Sequence, residues 1–123
     1  MKEKIVGLSF IAIILLIVIL LFTITDHFIH GLESSWSVPD FYFKDKIPFG
    51  FLWGIVGLLL ARKFQNIWLK AMIVSCTIAI TLQFRYLIEG YPLGFVFLFL
   101  LIHFVIIYLL SIPMFLILNK YKQ

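Results

Sequence analysis

"IVGLSFIAIILLIVILLFTITDHFIH", Ile5 to His30, decides how the whole chain is read. From Ile5 to Ile24 it carries no charge, and about 20 such residues in a helix cover the roughly 30 Å of bilayer hydrocarbon. Then Asp26, His27 and His30 arrive within five residues. The stretch reads as a membrane helix followed by its wet end, and it raises the question of a metal or proton site there.

The rest of the chain agrees with a membrane reading. Of 123 residues, 63% are hydrophobic and only 13% are charged, far too apolar for a soluble domain of this size. The polar residues are confined to a few places, so the apolar ones form separate spans. Four segments qualify: residues 5–26, 44–61, 68–88 and 92–118. The expected fold is an all-α integral membrane protein, with four transmembrane helices in one small bundle and residues 1–123 as a single domain. The second segment is the shortest. Its charge-free part, residues 47–61, reaches only about 22 Å at 1.5 Å per residue, so that helix has to extend toward Phe41 or sit where the bilayer is thin. The start, "MKEK" followed by apolar residues, imitates a secretory signal. Its apolar run is too long, and no small-residue cleavage site follows. The single cysteine, Cys76, allows no intrachain disulfide and no thiolate cluster within one chain.

Positive charge sorts by side. Lys2, Lys4, Arg62, Lys63, Lys70, Lys120 and Lys122 fall on one side with only Glu3 opposing. Lys44, Lys46 and Arg85 face Asp26, Glu33, Asp40, Asp45 and Glu89 on the other. The positive-inside rule places the protein in the plasma membrane as a multi-pass chain with both termini cytoplasmic. The basic balance, pI about 9.3, is then a topology signal, and nucleic acid is not an expected partner. The lipid bilayer is.

Two pairs of motifs suggest a doubled hairpin. "IPFGF" (Ile47–Phe51) and "YPLGF" (Tyr91–Phe95) place proline where a first helical turn tolerates it. "DHFIHG" (Asp26–Gly31) and "RYLIEG" (Arg85–Gly90) each end on glycine, the usual left-handed helix cap. Read this way, the bundle is two parallel helical hairpins; the plain alternative is chance recurrence of common helix starts and stops. Gly50, Gly54, Gly57 and Ala61 lie on one helical stripe, and Ala71, Ser75 and Ala79 on another. Small residues let backbones approach where no hydrophobic force drives helices together, so both stripes are expected to face neighbours. In the last segment Pro113 leaves the Leu109 carbonyl unbonded, with Ser111 close enough to help.

The chemistry-bearing residues gather on the outer side. Asp26, His27 and His30 are candidate metal ligands, with Glu33, Glu89 or His103 as a further ligand. An acid near a helix C-terminus meets the negative end of the helix dipole and needs a partner. A metal would serve, and so would Arg85 at a similar depth, giving an outer polar cluster of Asp26, Arg85 and Glu89. His103, further into its span, reads first as an interhelical hydrogen-bonding residue and only second as a ligand. The loop aromatics Trp36, Phe41, Tyr42 and Phe43 read as an interfacial belt or as a partner-docking loop. No cofactor signature is present apart from a metal at the outer membrane face. No catalytic constellation, phosphate loop, mid-membrane acid or full-length polar stripe can be read.

These absences favour a small non-catalytic accessory subunit of a larger membrane enzyme, of the kind found in membrane monooxygenases or respiratory complexes, with other membrane subunits as partners. A small homo-oligomeric transporter or channel is the alternative. A metal-binding membrane protein using Asp26, His27 and His30 is the third.

Overall fold

In the computed structural model, residues 2–122 are described, with side chains over residues 7–120. They form α1 (Lys2–His30), α2 (Phe41–Ala61), α3 (Ile67–Ile88) and α4 (Leu93–Lys122), with a 3-10 turn at Ser34–Trp36. Each helix packs on its sequence neighbours, and α4 closes onto α1. The result is an up-and-down bundle. Its loop end carries the α1–α2 and α3–α4 connections. Its terminal end carries both chain ends and the α2–α3 turn.

Three helices are long and apolar enough to cross a membrane: α1 over Gly7–His30, α3 over Ile67–Ile88 and α4 over Leu93–Lys120. The second helix differs because Lys44, Asp45 and Lys46 lie in its first two turns. It begins at Phe41, the first of the two expected answers to its short charge-free part. The lysines counted for topology include Lys2, Lys4 and Lys122, which lie outside the described side chains, as does Glu3.

The two supposed hairpins differ in their ends. Pro92 stands just before α4, but Pro48 is inside α2, well past its first turn. Gly90 takes the left-handed conformation (φ 83°), with Tyr91 N–H donating to the Tyr86 carbonyl at 3.0 Å and Gly90 N–H to Leu87 at 3.2 Å. That is a Schellman cap. Gly31 does not adopt it; its N–H is shared between the His27 and Phe28 carbonyls, each at 3.2 Å. The long α1–α2 connection leaves without reversing sharply, so no tight cap is needed there. Among the described residues the Ser111 hydroxyl has no hydrogen-bond partner, so the help expected for the Leu109 carbonyl is not given. Other hydroxyls do bond back along their helices, as Thr23 does to Ile19 at 2.7 Å and Thr77 to Ile73 at 2.7 Å.

The core divides by height. Toward the terminal end it is aliphatic, built on Leu15, Ile19, Val74, Ile78, Ile107 and Met114. Toward the loop end it is aromatic, built on Tyr42, Phe43, Tyr86, Phe95 and Phe99. A cavity of about 470 Å³ opens at the terminal end, lined mainly by α1, α2 and α4, with Arg62 and, from α3, Lys70 also at its wall.

The small-residue stripe of α2 is shared between two neighbours. A methyl added at Gly50 or Gly54 would meet Ile19 or Leu15 of α1, whereas one at Gly57 would meet Val74 and Thr77 of α3. Ala61, Ala71, Ser75 and Ala79 are all buried. The contact at Gly57 is with the Val74 Cα itself at 3.1 Å, while at Gly54 it is with the tip of Leu15 at 2.9 Å. A leucine tip can turn aside; a backbone cannot. Gly57→Leu is therefore expected to destabilise the detergent-solubilised bundle by about 1–3 kcal/mol through overpacking. Gly94→Leu, where nothing lies within 4 Å, should leave the thermal midpoint nearly unchanged.

Candidate metal centre

All four helices send a polar side chain to one buried point near the loop end. Helix α1 supplies Asp26 and His30, four residues apart and so on one face. Helix α2 supplies Lys46, α3 supplies Gln83 and Tyr86, and α4 supplies His103. Asp26, Tyr86 and His103 are fully buried, and Lys46 is only 5% exposed.

Asp26 is the hub, and its two carboxylate oxygens do different things. Oδ2 accepts a charged hydrogen bond from Lys46 Nζ. Oδ1 faces both histidines, 2.9 Å from His103 Nε2 and 3.3 Å from His30 Nε2. Lys46 also donates to Tyr86 Oη at 2.8 Å, and that hydroxyl lies 3.3 Å from His30 Nε2.

Each histidine is held from behind. His30 Nδ1–H donates to the Trp36 carbonyl at 2.7 Å, and Gln83 Nε2–H donates to His103 Nδ1 at 2.8 Å. The second proton of the Gln83 amide goes to the Ala79 carbonyl at 2.9 Å. Aromatic rings fix the imidazole planes. His30 stacks on Phe99 with centroids 4.0 Å apart and an interplanar angle of 4°, while Phe22 meets His103 edge-on at 5.2 Å. Trp36 packs edge-on against the same Phe99 at 5.8 Å.

Asp26, His30 and His103 are a candidate set of metal ligands. Their ligand atoms all lie within 4.8 Å of one another. Donors about 2.1 Å from a common ion stand about 3.0–3.4 Å apart at octahedral and tetrahedral angles, and the two edges of 2.9 and 3.3 Å match that spacing. Two imidazoles and one carboxylate suit a first-row divalent ion. His30 donates its second ring N–H, as metal-ligating histidines generally do, whereas His103 Nδ1 accepts from Gln83.

Of the residues that the sequence offers as ligands and partners, several fall outside this centre. His27 is one: a single residue beyond Asp26 is about 100° around the helix, so its ring is exposed and rests on Phe43 at 4.8 Å. The expected pairing of Asp26 with Arg85 is also corrected. Arg85 faces away from the bundle interior, bonds Asp45 at 2.6 Å and lies 3.9 Å from Glu89. Its guanidinium covers the ring of Tyr42 at 4.3 Å. Tyr42 and Phe43, expected in a docking loop, are buried residues of α2; Phe41 alone of that trio is exposed. Tyr91, in the α3–α4 connection, has its phenol pushed up to about 12, first by burial and then by its hydrogen bond with Tyr42.

Lys46 escapes a reading of the sequence as a site residue because "KDK" resembles loop. It nonetheless lies four residues before Gly50, on the same helical stripe as the small residues. Tyr86 and Gln83 likewise continue the Ala71–Ser75–Ala79 face toward the loop end. His103 has no such local signal as a ligand.

A cleft of about 280 Å³ lies between α2 and α3 and reaches this centre. Lys46 and Tyr86 form its floor, and Asp45 and Arg85 also line it. Comparison with protein families, characterised proteins and solved structures finds no match to this chain.

Removing one partner of a buried ion pair strands the other charge, at a cost of about 3–5 kcal/mol. Lys46→Met should therefore destabilise the protein by about that much. Arg85→Met removes an exposed pair and should change stability by no more than about 1 kcal/mol. Thermal unfolding of both variants in the same detergent checks the order; equal losses would return Arg85 to the role of Asp26's partner.

Proposed function

We propose that this is a four-span membrane metalloprotein, and that a divalent first-row metal held by Asp26, His30 and His103 is where it acts. The observation that carries the reading is the convergence of Asp26 Oδ1 and two Nε2 atoms, with each imidazole secured through its other nitrogen. In this reading α2 also crosses the bilayer, with its Lys44–Lys46 segment at the interface. The lysine and arginine distribution supports cytoplasmic termini.

Lys46 does not compete for the ligating position. It binds Oδ2, which leaves Oδ1 to the metal and balances the carboxylate charge from the second oxygen. Gln83 is suited to both states of His103. Without metal its amide N–H meets Nδ1, so Nε2 carries the proton that Asp26 accepts. A metal requires the Nε2 lone pair, and the proton then sits on Nδ1. Gln83 Oε1 is buried without a hydrogen-bond partner. Turning the amide brings that oxygen to Nδ1–H and releases the Ala79 contact.

Such a centre, with a cleft beside it, favours chemistry on a small ligand over a purely structural role. The accessory-subunit reading loses part of the docking loop, since Tyr42 and Phe43 face inward.

Metal analysis of gently purified protein tests the proposal, with the co-purifying chains identified in the same sample. One zinc or iron per chain is expected. His103→Ala should lose it and His27→Ala should keep it. Protein that arrives metal-free and takes up neither ion would end the reading, and a fixed set of foreign subunits in that sample would restore the accessory role. Gln83→Leu should weaken metal affinity about 10- to 100-fold, the usual cost of losing an outer-shell partner, by competition against a graded chelator.

A further inference from the structure

We infer that the terminal-end cavity holds one acyl chain of an anionic phospholipid, whose phosphate lies against Arg62 at the rim. Three observations carry this: why the cavity exists, how it is lined, and which charges surround it.

The cavity follows from the small-residue stripe of α2. Gly50 and Gly54 bring α2 against Ile19 and Leu15 of α1, but Gly57 brings it against Val74 and Thr77 of α3. Beyond Gly54, α2 is therefore drawn to α3 and away from α1. Leu58 and Arg62 come four and eight residues after Gly54 and stay near the face that met α1. There they line open space instead. Eight residues at 1.5 Å each make that wall about 12 Å deep.

The lining suits a hydrocarbon chain. Ile11 and Leu15 of α1, Leu58 of α2 and Phe115 of α4 are apolar walls, and a volume of about 470 Å³ lies within the range of ligand sites. Leu8 and Leu59 at its edge are 66% and 56% exposed, so a chain can enter from the lipid side, between α1 and α2. Among the described residues the polar side chains of the lining are Arg62, Lys70 and Asn119. All three belong to the ends of their helices, where a headgroup would sit.

Charge selects the head. The five described carboxylates, Asp26, Glu33, Asp40, Asp45 and Glu89, all lie toward the loop end. The described side chains of the terminal end include Arg62, Lys63, Lys70 and Lys120, and no acid. Arg62 is exposed and makes no ion pair among the described residues. A guanidinium so placed can take a phosphate through two parallel hydrogen bonds. Lys70 is buried at the same wall, with its ammonium 5.7 Å from the centroid of the Phe115 ring, and adds to the positive field. Basic pockets between membrane helices suit anionic headgroups in this way. A choline lipid brings a cation of its own into that field and gains less.

This site lies at the opposite end of the bundle from the metal centre, and its test requires no metal. The protein is placed in nanodiscs of equal parts phosphatidylglycerol and phosphatidylcholine with the same acyl chains, and the lipid it keeps on release is counted by native mass spectrometry. One phosphatidylglycerol per chain is expected, favoured at least about tenfold over phosphatidylcholine, the difference one charged hydrogen bond makes. Arg62 is exposed, so Arg62→Gln leaves the fold in place and should bring the two lipids close to equality. Lys63→Gln, exposed and outside the lining, should keep the preference. Ala12→Trp fills the cavity from α1 and should abolish retention, whereas glycerol 3-phosphate, a head without a chain, should displace nothing. Equal retention of both lipids, a preference that survives Arg62→Gln or that Lys63→Gln removes as well, undiminished retention in Ala12→Trp, or displacement by glycerol 3-phosphate would each overturn the inference.

Discussion

The buried pairing of Lys46 with Asp26 is the constraint on which the rest of the bundle depends. A lone charge in a low-dielectric interior is very costly, and two opposite charges are tolerable only when they are close and hydrogen-bonded all round. Here the carboxylate receives donors from α2 and α4 while the ammonium also serves a hydroxyl of α3. The pair therefore fixes the rotation of every helix about its own axis. It does so where the membrane gives little help, since one apolar face is as comfortable in lipid as another. Below the pair the small-residue stripe of α2 selects the faces it offers to α1 and α3, and the ionic centre fixes the same rotation at the loop end.

The aromatic layer around the centre follows from that demand. Imidazole and phenol groups that hydrogen-bond at this depth must be held in fixed orientations, and neighbouring rings do that. Phe99 stacks on His30, Phe22 meets His103, and Tyr86 is boxed by Phe95 and Tyr91. The Schellman cap at Gly90 turns the chain tightly enough for Tyr91 and Phe95 to reach back over Tyr86. The α1–α2 connection contributes through its backbone, because the Trp36 carbonyl orients His30.

Much of the architecture was legible in the sequence, and the reason is solvent. Long charge-free runs have one comfortable environment, so the helices at Ile5–Ile24 and in the last two segments announce themselves. The site was legible only in part. Asp26 and His30 share a helical face by spacing, and that needs no tertiary knowledge. Depth alone led to Arg85 as partner, yet depth does not give azimuth: Arg85 and Tyr86 are neighbours in sequence that point to opposite environments. Lys46 was hidden because three charges in a row look like loop until α2 is known to begin at Phe41. His103 lies 77 residues from Asp26. On a helix as uniformly apolar as α4, nothing local marks which face turns inward.

The bundle is also unequal along its length. One end is riveted by a network that crosses all four helices, and the other has a cavity of about 470 Å³ lined mainly by α1, α2 and α4. A bilayer that thins or thickens asks its helices to change tilt. Tilt about a fixed point moves the far ends most. For a bundle in a bilayer, a change of tilt that pivots on this network displaces the terminal end most and the geometry around Asp26 least.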